Sequence, residues 1–229
     1  MRSERTCVLI ISSLLFGLPA CGNLITNGSF EEGTYSPTQW GWQTLVAGNN
    51  SITGWVVGNG SVDYVGAYWQ PAHGSRSLDL NGDGSQGTIW QVFSSTPGRL
   101  YRVTFALAGN PDAQPRTTTL RVWADDPSAT FADFSFTVNG QTYSEMGWTY
   151  HSWIFSATSG QTRLGFTSLD AYSGPVWGQN WGTSFGPALD NVTVEALGGE
   201  HLPEPGTLML VGLGLAGSAW LRRRFKPGL

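Results

Sequence analysis

Leu100-Tyr101-Arg102-Val103-Thr104-Phe105-Ala106-Leu107-Ala108 decides the fold class. Successive side chains of an extended chain point to opposite faces, so Tyr101, Val103, Phe105 and Leu107 share one face and Arg102, Thr104, Ala106 and Ala108 the other. One apolar face predicts a strand lying on a core. Pro97-Gly98 before it and Asn110-Pro111-Asp112 after it are turn sequences. The same signature recurs in both directions. Towards the N-terminus, Leu24 to Glu31 reads as a first strand with a break at Gly28, followed by a polar, aromatic loop through Trp40 and Trp42. Ile52 to Val57 and Ser61 to Val65 flank Gly58-Asn59-Gly60, and Ser77 to Leu80 and Thr88 to Phe93 flank Asn81-Gly82-Asp83-Gly84; both spacers read as hairpins. Towards the C-terminus, Thr117 to Trp123, Phe131 to Val138, Trp148 to Ala157, Thr162 to Thr167 and Ala188 to Ala196 follow. About ten or eleven short strands bounded by Gly, Pro, Asn or Asp, with no helical periodicity before the tail, predict an all-β antiparallel β-sandwich or jelly roll.

The 229 residues include 31 glycines and 11 tryptophans but only 12% charged residues, a composition that suits many turns and aromatic-rich strands. The only cysteines are Cys7 and Cys21, so no disulfide forms within the domain and its core rests on hydrophobic burial. Between Leu24 and Leu202 there are six arginines, no lysine and fourteen acids, a formal charge of −8. That balance argues against nucleic acid and anionic membrane surfaces and favours neutral or cationic ligands.

Both ends read as targeting segments. Residues 1–21 hold a basic start, an apolar run from Cys7 to Leu18 and a small residue at Ala20, which is a secretory signal. Leu18 to Cys21 also faintly matches a lipoprotein box, with Cys21 as the acylated residue and Pro19 out of place in it. The sandwich domain spans 23–197 and a short linker 198–202. In the tail, Pro203-Glu204-Pro205 is an extended, exposed turn because both prolines lack amide donors. Residues 207–221 carry no formal charge and favour a helix, and Arg222-Arg223-Arg224 follows. Fifteen helical residues rise only about 22 Å against a hydrocarbon core of roughly 30 Å, a mismatch that snorkelling arginines ease. The clustered cations keep the C-terminus cytoplasmic and the domain outside.

Residues 203–226 resemble the PEP-CTERM sorting signal of Gram-negative bacteria, in which the three unlike parts stand in this order. The resemblance implies an exosortase-type processing enzyme acting near Pro203, Glu204 and Pro205, an inner-membrane-anchored precursor, and delivery to the cell surface or extracellular matrix; a plain C-terminal anchor is the blander reading. Asn27-Gly28-Ser29-Phe30-Glu31, Gly74 to Leu80, Ile89-Trp90-Gln91, Pro97-Gly98 with Tyr101, and Gly186 to Val192 together resemble the choice-of-anchor C family. They resemble more distantly the galactose-binding-like jelly rolls of plant cell-wall proteins and carbohydrate-binding modules. This implies a fold firmly and a function loosely, since sandwiches host many activities.

Asp190 is the most informative acid. In Ala188 to Ala196 it shares parity with Ala188, Val192 and Val194, so it is expected to face inward, where a carboxylate needs a cation or several donors. The jelly-roll resemblance implies one structural calcium at Glu31 and Asp190, completed by backbone carbonyls; the alternative is Asp190 bonded to backbone amides or to an arginine. Asp79-Leu80-Asn81-Gly82-Asp83-Gly84 matches half of a calcium loop, with Asp79 the candidate ligand, but Trp90 stands where the bidentate Glu belongs and a hairpin explains the residues equally. Gly182-Thr183-Ser184-Phe185-Gly186 matches a nucleophile elbow only formally, since Pro187 and a strand follow it. His73 and His151 have no partner in a recognisable catalytic motif. Trp55, Trp90 and Trp153 lie in strand patterns and are expected in the core. Trp40, Trp42, Tyr68, Trp69, Trp177 and Trp181 lie in Gly- or Pro-rich loops, where rings stack on sugars or else cap the sandwich. The expected protein is therefore a non-enzymatic surface module that binds extracellular polysaccharide, with a purely structural or adhesive role as the alternative and a glycan hydrolase third.

Overall fold

Phe105 meets Phe134 and Phe166 edge-on at 5.3 Å, and these contacts join two antiparallel sheets across one apolar core. The computed structural model describes residues 22–83, 85–112, 114–171 and 184–198. In chain order the strands are β1 (Trp42–Val46), β2 (Val56–Val57), β3 (Ser61–Val65), β4 (Ser77–Asp79), β5 (Asn81–Gly82), β6 (Ser85–Gln86) and β7 (Thr88–Ser94). They continue as β8 (Leu100–Gly109), β9 (Arg116–Ala124), β10 (Phe131–Val138), β11 (Thr149–Ser156), β12 (Gln161–Ser168) and β13 (Pro187–Leu197). The first sheet has the order β1-β3-β4-β13-β8-β11 and the second β10-β9-β12-β7-β2, with β5 and β6 a separate small pair. No helix occurs among the described residues. The signal segment, the tail, Trp177 and Trp181 lie outside them.

The alternation in β8 holds: Tyr101, Val103, Phe105 and Leu107 are all buried in the core. Each such side chain contributes roughly 1.5–3 kcal/mol on burial, which is how a domain without a disulfide is held. Trp55 is also core, whereas Trp90 and Trp153 are only partly buried, and the Arg163 guanidinium covers the Trp90 ring at 4.5 Å.

Four further expectations change. Neither Gly-Asn spacer joins a sheet hairpin as read. β2 pairs with β7 while β3 pairs with β1, so the chain crosses between sheets at Gly58-Asn59-Gly60. Likewise β4 and β7 belong to different sheets, and Asn81–Gly82 and Ser85–Gln86 form the small hairpin themselves. Residues 24–31 are not a strand. They run irregularly beside β13, with Asn27 and Phe30 at positive φ, and Val192 N donates to Gly28 O at 2.8 Å. A Cβ on Gly28 would lie 1.9 Å from that same region's Val192 O, so the close approach requires glycine. Trp42 opens β1 rather than lying in a loop.

The fourth change concerns Asp190. Leu189 pairs with Leu107 and Asp190 with Ala106, but the register then jumps so that Thr193 meets Thr104. This β-bulge, with Asn191 at positive φ, resets the alternation. Asp190 therefore shares the outer face of the first sheet with Ala188, while Val192 and Val194 face the core on the other side of the bulge. Asp190 is fully buried all the same, because residues 72–73 cover it.

Candidate functional site

Strands β1, β3 and β4 build the floor of the site by strict alternation. Leu45, Val62, Tyr64 and Leu78 go to the core, so Trp42, Thr44, Asp63, Val65, Ser77 and Asp79 stand on the opposite face. The register sets Thr44 beside Asp63, Asp63 beside Asp79 and Asp79 beside Ala188, one row across four strands. Polar side chains thus replace the hydrophobic residues that would normally let another layer cover this face.

Loops from three distant parts of the chain wall the floor in. Trp69 Nε1 donates to Ser77 Oγ at 2.8 Å, which fixes that ring against β4. The Tyr68 hydroxyl donates to Asp112 Oδ2 at 2.5 Å, and the Tyr143 hydroxyl donates to Asp112 Oδ1. Asn110 Nδ2 donates to Asp79 Oδ2 at 2.9 Å, and Asp112 N donates to Asn110 Oδ1 at 2.9 Å, which ties the wall to the floor. Tyr68 packs on Trp42 at 4.6 Å, on Tyr143 at 5.1 Å and on Trp69 at 5.6 Å between ring centroids. Gly41, between Trp40 and Trp42, has φ +93° and would place a Cβ 2.9 Å from Tyr68 N. Its carbonyl accepts from Gly66 N and from the Tyr35 hydroxyl, so the turn that carries the two tryptophans is pinned to the Tyr68 loop.

The result is a cavity of about 710 Å³, within the usual range for a small-ligand site. Its rings are Trp40, Trp42, Tyr68, Trp69, Tyr143 and Phe185, and its acids are Asp63, Asp79, Asp83 and Asp112. Trp40 is 60% exposed at the rim and Trp69 only 4% exposed. Burial raises the Asp63 carboxyl to about 7; the Thr44 hydroxyl, which donates to Oδ1 at 2.5 Å, opposes that rise and the neighbouring Asp83 charge adds to it. Burial and the Asp63 charge hold Asp79 well above the usual carboxylate range, against three donors: Asn81 N, Asn110 Nδ2 and Gly186 N. Burial and the bond to Asp112 raise the Tyr68 hydroxyl as well.

Four of the six ring residues singled out in the sequence, Trp40, Trp42, Tyr68 and Trp69, meet in this one cavity; Trp177 and Trp181 lie outside the described residues. Asp63, Asp112 and Tyr143 were not singled out. The one signal for Asp63 was an acid inside the apolar run Ser61 to Val65, while Asp112 read as an ordinary turn residue. Asp79 belongs here and not with Glu31, because β4 delivers it to the pocket floor and its three donors hold it there.

Glu31 and Asp190 instead hold one loop. Glu31 Oε1 accepts from Ser75 N at 2.8 Å and Arg76 N at 2.9 Å, and Oε2 accepts from Ser75 Oγ at 2.7 Å. Asp190 Oδ2 accepts from His73 N at 2.8 Å and Oδ1 from Asn191 N at 2.6 Å. Burial raises the Asp190 carboxyl to about 7, and the Glu31 charge adds to it. Both acids thus accept from backbone amides, the donors that the alternative reading of Asp190 requires, and no group of three or more metal-binding side chains exists among the described residues. A calcium ion here would draw its remaining ligands from backbone carbonyls. The elbow expectation ends at Phe185 and Gly186, which are irregular and lead straight into β13. His151 stacks against Phe105 at 5.8 Å, a packing role.

Comparison with known proteins gives two family matches. The family described as "Protein of unknown function (DUF642)" matches residues 23–195, and the PEP-CTERM protein-sorting motif matches residues 202–224. The domain match thus falls on DUF642, where the ordered motifs resembled the choice-of-anchor C family. Halomucin of Haloquadratum walsbyi is 34% identical over 175 residues, covering 75% of this chain and 2% of that protein. The Arabidopsis thaliana protein DUF642 L-galactono-1,4-lactone-responsive gene 1 is 26% identical over 183 residues, covering 77% of this chain and 46% of that protein. The chain therefore spans less than half the length of either relative. Among solved structures, TmCBM61 in complex with β-1,4-galactotriose aligns over 76% of this chain and 99% of its own, with TM-score 0.44 and 14% identity. The CBM22-1 xylan-binding domain of Paenibacillus barcinonensis Xyn10C aligns over 71% and 99%, with TM-score 0.42 and 13% identity.

Proposed function

The chain belongs to the DUF642 family, and on that premise we propose that its sandwich is a non-catalytic polysaccharide-binding module displayed at the cell surface. One observation carries the reading: a single cavity gathers Trp40, Trp42, Tyr68, Trp69 and Tyr143 around carboxylates. Sugar rings offer apolar faces to such aromatics and hydroxyls to such acceptors, and rigid rings give contact area at small entropic cost. Two of the four lining acids support binding over hydrolysis. Asp79 is buried under three donors and Asp112 is committed to Tyr68 and Tyr143, so neither is free to act on a glycosidic bond.

The sorting motif at 202–224 supports export and an exosortase-type processing partner. Anchoring of the precursor through 207–221 and cleavage near Pro203-Glu204-Pro205 belong to the same proposal. So does one structural calcium at Glu31 and Asp190, which would join the chain's N-terminal segment to the 72–76 loop; Asp79 has no part in it.

The test is titration calorimetry of the detergent-solubilised full chain with the exopolysaccharide of its own host. Binding is expected, weakened at least about tenfold by Trp42→Ala, the cost of losing one well-packed ring. Absence of binding, or binding indifferent to Trp42→Ala and Tyr68→Ala, overturns it.

A further inference from the structure

The charge around the cavity is one-sided. Four of the fourteen acids between Leu24 and Leu202 line it, and no Lys, Arg or His does so among the described residues. The stretch 172–183 contains no basic residue either. Five of the six arginines are engaged elsewhere: Arg102 with Glu195, Arg116 with Asp170, Arg121 with Asp133, Arg76 over the Tyr35 ring and Arg163 over Trp90.

Asp63 is the acid without compensation. It is nine-tenths buried, and the Thr44 hydroxyl takes Oδ1, but Oδ2 has no donor among the described residues. Asp79 stands directly beside it in the register, and Asp83 adds negative field from the rim. A buried carboxylate is costly unless a cation or donors satisfy it. A neutral sugar supplies only hydroxyl donors. A uronic acid would add negative charge to an acid-lined cavity that holds no cation among the described residues, and be repelled. An ammonium group meets the free oxygen and the neighbouring acids in a cavity also lined by Trp42 and Tyr68, rings of the kind that attract cations.

We propose that this cavity, if it binds polysaccharide as above, selects a glycan whose sugar units carry a free protonated amine, held by Asp63 Oδ2 with the sugar ring against Trp40 and Trp42. The class is an amino sugar that lacks the N-acetyl group.

Calorimetry of the detergent-solubilised full chain at low ionic strength tests this with three hexasaccharides of the same backbone linkage: glucosamine, N-acetylglucosamine and glucose. The glucosamine hexamer should bind about tenfold tighter than the other two, the ratio expected of one charge-assisted contact. Asp63→Asn and, separately, the exposed Asp83→Asn should each reduce that preference, while Asp126→Asn, remote from the cavity, should not. Equal affinities, or a preference for the acetylated or neutral hexamer, overturn the amine assignment and leave the polysaccharide reading standing. A preference that Asp126→Asn lowers as much as Asp63→Asn is general attraction of a polycation and also overturns it. Failure of all three hexamers and of the host polysaccharide overturns both.

Discussion

Asp63→Asn is expected to raise stability at pH 8 and to leave it nearly unchanged at pH 3.5. The folded-state carboxyl of Asp63 titrates at about 7, whereas an unfolded Asp titrates near 3.9. The folded protein therefore holds a proton that the unfolded chain releases between those values. The sign follows: the contribution of Asp63 to stability is fully present below pH ~4 and is lost as pH rises through ~7. A difference of about three units corresponds to roughly 4 kcal/mol at most, at 1.36 kcal/mol per unit. Asparagine removes the titration and keeps a carbonyl oxygen that still accepts from the Thr44 hydroxyl. At pH 8 the variant should gain up to that amount, a shift on the order of 10 °C in Tm for a domain of this size. Asp79 contributes in the same direction, because its carboxyl is raised in part by the Asp63 charge and is relieved when that charge is removed. The assay is urea unfolding of wild type and variant at half-unit steps from pH 3.5 to 8.5. Two parallel stability curves would refute the reasoning, since they would mean that Asp63 is solvated or already paired.

Three further outcomes are expected. EDTA should lower the Tm of the wild type, while Asp190→Ala should lower it and abolish the EDTA effect, with Glu31→Gln acting in the same direction more weakly; a ligand at a hundredfold excess over Kd contributes about 2.7 kcal/mol. An unchanged melt in EDTA with no metal by elemental analysis removes calcium and leaves Asp190 held by backbone amides, those of His73 and Asn191 among them. Mass spectrometry of surface-released protein should show a mature chain without residues 207–229, and an intact C-terminus would contradict processing. Trp40→Ala should weaken glycan binding without moving the Tm, because this ring is 60% exposed, whereas Trp69→Ala should lower both, since Trp69 is buried and bonded to Ser77.

Much was legible in the sequence because it is local. Period-two alternation marks a strand whatever its partners are, so Tyr101, Val103, Phe105 and Leu107 announced a core face that the structure buries. Trp40, Trp42, Tyr68 and Trp69 were legible as a group of rings near turn residues, and the structure brings all four to one cavity, although Trp42 opens β1 and Trp69 is buried. The sorting motif was legible because its three parts are contiguous. The tertiary structure alone decided the rest. Gly58-Asn59-Gly60 satisfies the chemistry of a hairpin, yet the apolar faces of β2 and β3 are buried best in different sheets, and that burial outweighs local turn preference. The bulge after Asp190 is invisible in a string of alternating residues, and it moves this acid from the core face to the outer one. The pocket itself is long-range: Thr44, Asp63 and Asp79 become neighbours only through strand register, and Asp112 and Tyr143 join them through hydrogen bonds between loops. Sequence determined which side chains were available to line a cavity; pairing between distant strands determined that the Asp63 oxygen without a donor among the described residues lies there, because register, unlike alternation, is set by segments far apart in the chain.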